Sequence, residues 1–222
     1  MAPTLVNAAL GALVAAALLG FAFDRRSLAV VVGAAVFPSF DAVASLVVFG
    51  ATNALFHALW IPLALGGLLY YDTAVRSPEN SWLRRRYGAY GVRVGWVALA
   101  SLLLAGIAPD LFGRAGVNLL YPFHDAYYLV RGRLLLSTQD GIVQTVISLS
   151  HLGADSPGLL PLQSPGTTES YAIPTAVNPD GRPDLGGGDR AHELYLVRTG
   201  WQAVVVGAAV AVIAARWWEG DL

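Results

Sequence analysis

Apolar residues fall in long, nearly unbroken runs along this chain rather than in the alternations of a half-buried element. A membrane-crossing helix needs about 20 mostly apolar residues. Five runs qualify: residues 5–23, 28–50, 54–71, 94–112 and 201–218. Trp201 and Trp218 flank the last run as an interfacial belt would. Pro38 and Asp41 interrupt the second. Proline removes a backbone donor and kinks or breaks a helix. A short helix to Phe37, followed by a second short or re-entrant segment, is expected there. Such backbone is tolerated at membrane depth only where protein buries it or where it lines a wet cavity. The pattern predicts an all-α polytopic membrane protein with about five transmembrane helices and an outward-facing, partly ordered segment between the last two.

That segment has two parts. In "RGRLLLSTQDGIVQTVISL", two apolar runs surround Gln139-Asp140-Gly141, and a D-G turn between apolar runs predicts a hairpin or a strand-to-helix turn. From 152 to 190 the chain turns to Gly, Pro, Ser, Thr and Asp, which predicts a flexible loop without its own core. The organisation is then a membrane domain over 1–150, a Gly/Pro-rich extracytoplasmic loop over 151–192 and a C-terminal transmembrane helix within 193–222.

Composition supports the membrane class: 55% of the 222 residues are hydrophobic and 13% charged, against about 25% charged in soluble domains. The net charge of -1 carries no basic surface for nucleic acid. With no Cys, disulfides, thiolate ligands and a Cys nucleophile are excluded. All fourteen basic residues are Arg, so no lysine Schiff base can form. Arg25 and Arg26 follow the first run, and Arg76, Arg84, Arg85, Arg86 and Arg93 lie between the third and fourth. With Arg216, these place the N-terminus outside and the C-terminus in the cytoplasm. Arg84–Arg86 read as topogenic or lipid-facing charges.

Ionisable residues in or near apolar runs are functional hypotheses by default. Asp41, His57, Asp110 and the His124-Asp125 pair stand out. On the predicted connectivity all of them share one side of the membrane. Such a set suits a divalent ion such as Zn, Mn or Mg, which would acidify a bound water and polarise a phosphoryl or carbonyl oxygen. Blander readings stand beside this one. Asp110 and Arg114 could pair one helical turn apart, His57 could hydrogen-bond a neighbouring helix, and Tyr121, Tyr127 and Tyr128 could anchor at the interface. No compact metal motif, phosphate-binding glycine loop or GxSxG elbow occurs.

The order of motifs resembles the YdjM-like family of membrane-bound metal-dependent hydrolases, especially its haloarchaeal branch. The resemblance runs from about Leu5 to Thr145, and its best-matched element is "PDLFGRAGVNLLYPFHD". The family's Pro-Asp-x-Asp element appears as "PSFD", its His-rich element as "TNALFHA" and its start as "VNAALG". The resemblance implies that Asp41, His57 and Asp110 occupy metal-ligand positions, and that His124 and Asp125 match the branch's "YP.HD" pattern. The departures are Ser39 for the first Asp, Thr52 and Asn53 for a His-Arg pair, Asn7 for the starting His and Gly106 for a His.

Three functions follow as expectations. The first is a hydrolase facing outward and acting on a lipid or phosphate ester. In it Asp41, His57 and Asp110 hold the ion, His124 serves as fourth ligand or general base, and Asp125 orients His124. Its partners are the lipid bilayer and a small-molecule or lipid substrate. The second is a degenerate, non-catalytic membrane scaffold or binding protein, resting on the departures. The third is a small transporter, disfavoured by the absence of an internal repeat.

Overall fold

The computed structural model describes residues 3–48, 50–132, 134–139, 141–147, 159–171, 173–179 and 192–220. The chain divides into two compact units. A helical unit comprises Ala2–Ser39, Leu59–Ala108 and Tyr195–Leu222, and a loop-built unit comprises Phe40–Ala58 and Pro109–Leu194.

In chain order the helices are α1 (Thr4–Leu18), α2 (Arg25–Val36), α3 (Asp41–Ala44), α4 (Trp60–Tyr70), α5 (Trp82–Ser101), α6 (Ala108–Leu111) and α7 (Gly200–Trp218). Among the described residues, three helical runs are long and apolar enough to cross a membrane: Arg25–Ala44, Trp82–Leu111 and Gly200–Trp218. That is fewer than the five expected. Helix α1 has 15 residues, a length of roughly 22 Å at 1.5 Å per residue. It ends at a 3₁₀ turn, Gly20–Ala22. The 54–71 run is only partly helical. Residues 52–57 are turns, α4 spans 11 residues, and a π turn follows at Tyr71–Val75. Apolarity alone does not distinguish helix from a buried turn, as the 54–71 run shows.

At Pro38 the helix tightens instead of breaking. A 3₁₀ turn over Phe37–Phe40 carries α2 into α3, so Asp41 continues one helical run. Helix α5 is kinked at Gly88, whose φ of 63° and ψ of -154° are non-helical. An L side chain rarely adopts that φ, and glycine does so at no steric cost.

The helical unit's core joins Ala15, Leu19 and Ala22 to Val31, Val94 and Val97. Asp24 starts α2 with a reciprocal cap. Its carboxylate accepts from the Ser27 backbone N–H at 2.7 Å, and the Asp24 N–H donates to Ser27 Oγ at 2.9 Å. The Tyr90 hydroxyl donates to the same carboxylate at 3.0 Å. Ser101 Oγ donates to the Val31 carbonyl at 2.9 Å. Gly106 stands where close packing demands a glycine. A Cβ there would lie 2.9 Å from the Ala35 carbonyl oxygen and 3.0 Å from Pro38 Cγ, so this backbone approach leaves no room for a histidine.

The loop-built unit holds the only sheet among the described residues. Strands β1 (Leu134–Ser137) and β2 (Gly141–Gln144) pair antiparallel, Leu134 facing Gln144 and Ser137 facing Gly141. The hairpin reading of "STQDGIV" matches this sheet, although Asp140 lies outside the described residues. The fold is therefore mostly helical but not all-α.

Candidate functional site

Within the loop-built unit, Asp41, His57 and Asp110 meet, and all three are fully buried. They come from α3, from the turns before α4 and from α6. His57 Nδ1 lies 2.7 Å from Asp41 Oδ2 and its Nε2 lies 3.1 Å from Asp110 Oδ2. Asp41 Oδ1 accepts from the Phe56 backbone N–H at 2.7 Å. Asp41 thereby fixes both the imidazole and the turn that carries it. Burial opposes charge on the ring, but hydrogen bonds and charge from Asp110 and Asp41 outweigh it and hold the His57 pKa up at about 9.

The arrangement is a chain of carboxylate, imidazole and carboxylate. The two ring nitrogens point away from each other, so the acids bonded to them do not converge on one ion through this ring. Among the described residues, no group of three or more His, Asp or Glu side chains is placed to hold a metal. As placed, Asp41, His57 and Asp110 form a hydrogen-bonded chain through the imidazole. One oxygen of the Asp110 carboxylate is turned to His57 rather than along a helix to Arg114. Helix α6 ends at Leu111, before Arg114.

His124 and Asp125 are adjacent in sequence but do not act together. Asp125 Oδ1 accepts from Asn118 Nδ2 at 2.6 Å, and Oδ2 accepts from Thr168 Oγ1 at 2.6 Å. The Thr168 backbone N–H donates to the same carboxylate at 3.0 Å. Asp125 therefore clamps Thr168, not His124, because neighbouring side chains leave the backbone in different directions. His124 Nε2 is buried without a hydrogen-bond partner.

Asn53 and Asn118 are further buried polar residues of this unit. Asn53 stands at φ 55°, a left-handed conformation that Asn tolerates better than most. Its Nδ2 donates to the Gly116 carbonyl at 2.8 Å, and its backbone carbonyl accepts from the Asn118 N–H at 2.8 Å. These bonds commit the amide nitrogens of Asn53 and Asn118, and both Oδ1 atoms are buried without a partner. Asn7 and Ser39 are buried in the helical unit, and their side-chain polar atoms lack hydrogen-bond partners.

The tyrosines are core residues rather than interfacial anchors. Tyr127 and Tyr128 are fully buried, whereas Tyr121 is only half-buried. The Tyr127 hydroxyl donates to the Thr52 carbonyl at 2.8 Å, and its ring packs edge-on against Tyr171 with centroids 5.6 Å apart. Tyr128 OH accepts from the Leu159 N–H at 2.9 Å. The described part of 152–190 is consequently packed, not a loop without a core. Tyr127 N–H donates to the Gly166 carbonyl and Leu129 N–H to the Gln163 carbonyl, both at 2.9 Å, and Ile173 is buried against Tyr127 and Ala54. Its Gly/Pro content reflects turns wrapped on a neighbouring segment, which composition does not separate from a free loop.

Comparison with models of known families, with curated proteins and with solved structures finds no match to this chain.

Proposed function

We propose that this is a membrane-embedded, non-catalytic scaffold or binding protein, a degenerate relative of the hydrolases it resembles, in which Asp41–His57–Asp110 is an internal clamp. The observation that carries this reading is that all three side chains are buried and each imidazole nitrogen already faces a carboxylate. A reacting group needs contact with substrate or water, and this chain of bonds is spent on holding three segments together. Asp125, used on Thr168 and Asn118, points the same way.

The membrane topology belongs to the same proposal, with the N-terminus outside and the Arg-rich segment 72–93 in the cytoplasm. Its support is that Arg-bearing ends gather within the helical unit. Arg93 Nε donates to the Leu18 carbonyl at 2.7 Å, Arg25 lies 5.7 Å over the Trp217 ring, and Arg216 donates to the Ala16 carbonyl at 3.4 Å. Cationic ends on one side are what the positive-inside rule asks for.

A second reading, the metal-dependent hydrolase, is favoured by one specific feature. An imidazole oriented by a carboxylate on Nδ1 is the usual outer support of a metal-binding histidine, and here Asp41 plays that part while Nε2 faces Asp110. His57 and Asp110 alone would then hold the ion. Metal analysis of the purified chain separates the two. The scaffold reading expects no stoichiometric metal in wild type and a melting temperature that a chelator leaves unchanged. One ion per chain, lost in Asp110→Asn, would overturn it in favour of the hydrolase.

A further inference from the structure

The helical unit contains a cavity of about 520 Å³ lined almost wholly by carbon. That volume lies inside the range of about 300–1,000 Å³ typical of small-molecule sites. It is open because its walls are built from small residues: Ala34 of α2 and Gly95 and Ala98 of α5 face it. Leu68 and Leu99 complete the apolar wall, and Leu68 is 67% exposed, so the cavity opens towards whatever surrounds the helices.

Among the lining residues, Asp72, Arg76 and Trp82 are grouped by hydrogen bonds. The Asp72 carboxylate is committed to the start of α5, accepting from the Trp82 N–H at 2.8 Å, the Leu83 N–H at 3.0 Å and Ser81 Oγ at 2.9 Å. Arg76 shares it through a single contact at 3.2 Å and remains 40% exposed. From Asp72 to Arg93 the chain carries five Arg against two acids, Asp72 and Glu79. An apolar slot lined also by the half-exposed Arg76, whose one contact is to a carboxylate already held by the start of α5, beside Trp82 and in a segment with an excess of Arg, matches the two halves of an anionic lipid.

We infer that this cavity holds an acyl chain of an anionic phospholipid, with Arg76 at the phosphate. The lipid is a bound structural ligand, independent of the Asp41–His57–Asp110 clamp and of whether that clamp is catalytic.

The test is native mass spectrometry of the full chain in neutral detergent, with equal amounts of phosphatidylglycerol and phosphatidylcholine bearing identical acyl chains. The expected result is retained phosphatidylglycerol in preference to phosphatidylcholine. Arg76→Gln, which touches no core packing, lowers that preference about fivefold, the effect of one cation beside an anionic headgroup. Ala98→Phe and Ala34→Phe fill the slot from two different helices, α5 and α2, and abolish retention of both lipids. Equal retention of the two lipids by wild type would overturn the proposal. So would unchanged phosphatidylglycerol retention in a filling variant that keeps the wild-type circular dichroism spectrum. A lipid-free dimer would likewise overturn it, since a second copy would then cover the slot. If neither filling variant folds, Arg76→Gln decides: an unaltered preference counts against the site.

Discussion

Two places in the loop-built unit bring acids near histidines, and they are built in opposite ways. Asp41, His57 and Asp110 are separated by 16 and 53 positions, yet they form a continuous buried chain. His124 and Asp125 are neighbours in sequence, yet Asp125 bonds Asn118 and Thr168 while His124 Nε2 has no hydrogen-bond partner. Adjacency in the chain is a poor guide to partnership, because consecutive side chains diverge from the backbone. Helices and turns from distant segments can aim side chains at one point.

The sharpest contrast between the two places is energetic. Replacing His57 by Ala leaves two buried carboxylates without their partner, and breaking a buried pair costs about 3–5 kcal/mol. Thermal or chemical unfolding of His57→Ala should show a loss of that order. An unchanged melting temperature would mean that the chain is not a clamp. Asp125→Ala should come next. It deprives the half-buried Thr168 and the buried Asn118 of an acceptor, and a buried donor left unsatisfied costs about 1–3 kcal/mol. Limited proteolysis should then cut within 159–171 faster than in wild type, while the helical unit stays resistant.

A milder effect comes from pH. The folded state binds the His57 proton more tightly than the unfolded chain, whose ordinary value is about 6.5. This stabilisation is complete below that pH and fades as pH rises through about 9. Wild type should therefore lose stability between pH 7 and 10 more steeply than His57→Gln. Parallel pH profiles for the two proteins would contradict the ion-bonded ring. His124→Phe should have the smallest effect, within about 1 kcal/mol in a melting experiment, since it removes a ring nitrogen that bonds to nothing. A loss as large as that of His57→Ala would show that His124 is engaged after all.

The members of the clamp are legible in the amino-acid sequence. Asp41, His57 and Asp110 stand out because ionisable groups are costly in apolar runs, and they do meet. Their roles are less legible. A set of His and Asp side chains reads equally as ion ligands or as a hydrogen-bonded chain, and the choice depends on where each lone pair points. The tyrosines illustrate the same limit. Tyr127 and Tyr128 beside an apolar run resemble an interfacial belt, and only the packing of Gly166, Tyr171 and Leu159 around them makes them core.

Residue types and their order are enough to mark helices apolar enough to cross a membrane and the positions of the costly charges. Both follow from composition and run length: transfer free energy acts on each residue locally, and a long apolar run has few other places to go. Partnership, by contrast, was settled by packing in three dimensions. Asp125 serves Thr168, 43 residues away, Gly106 is a glycine because Ala35 and Pro38 press against it, and the 54–71 run is part turn and part helix. Each depends on short-range contacts between segments distant in the chain, whose strength depends on ångström geometry rather than on residue type.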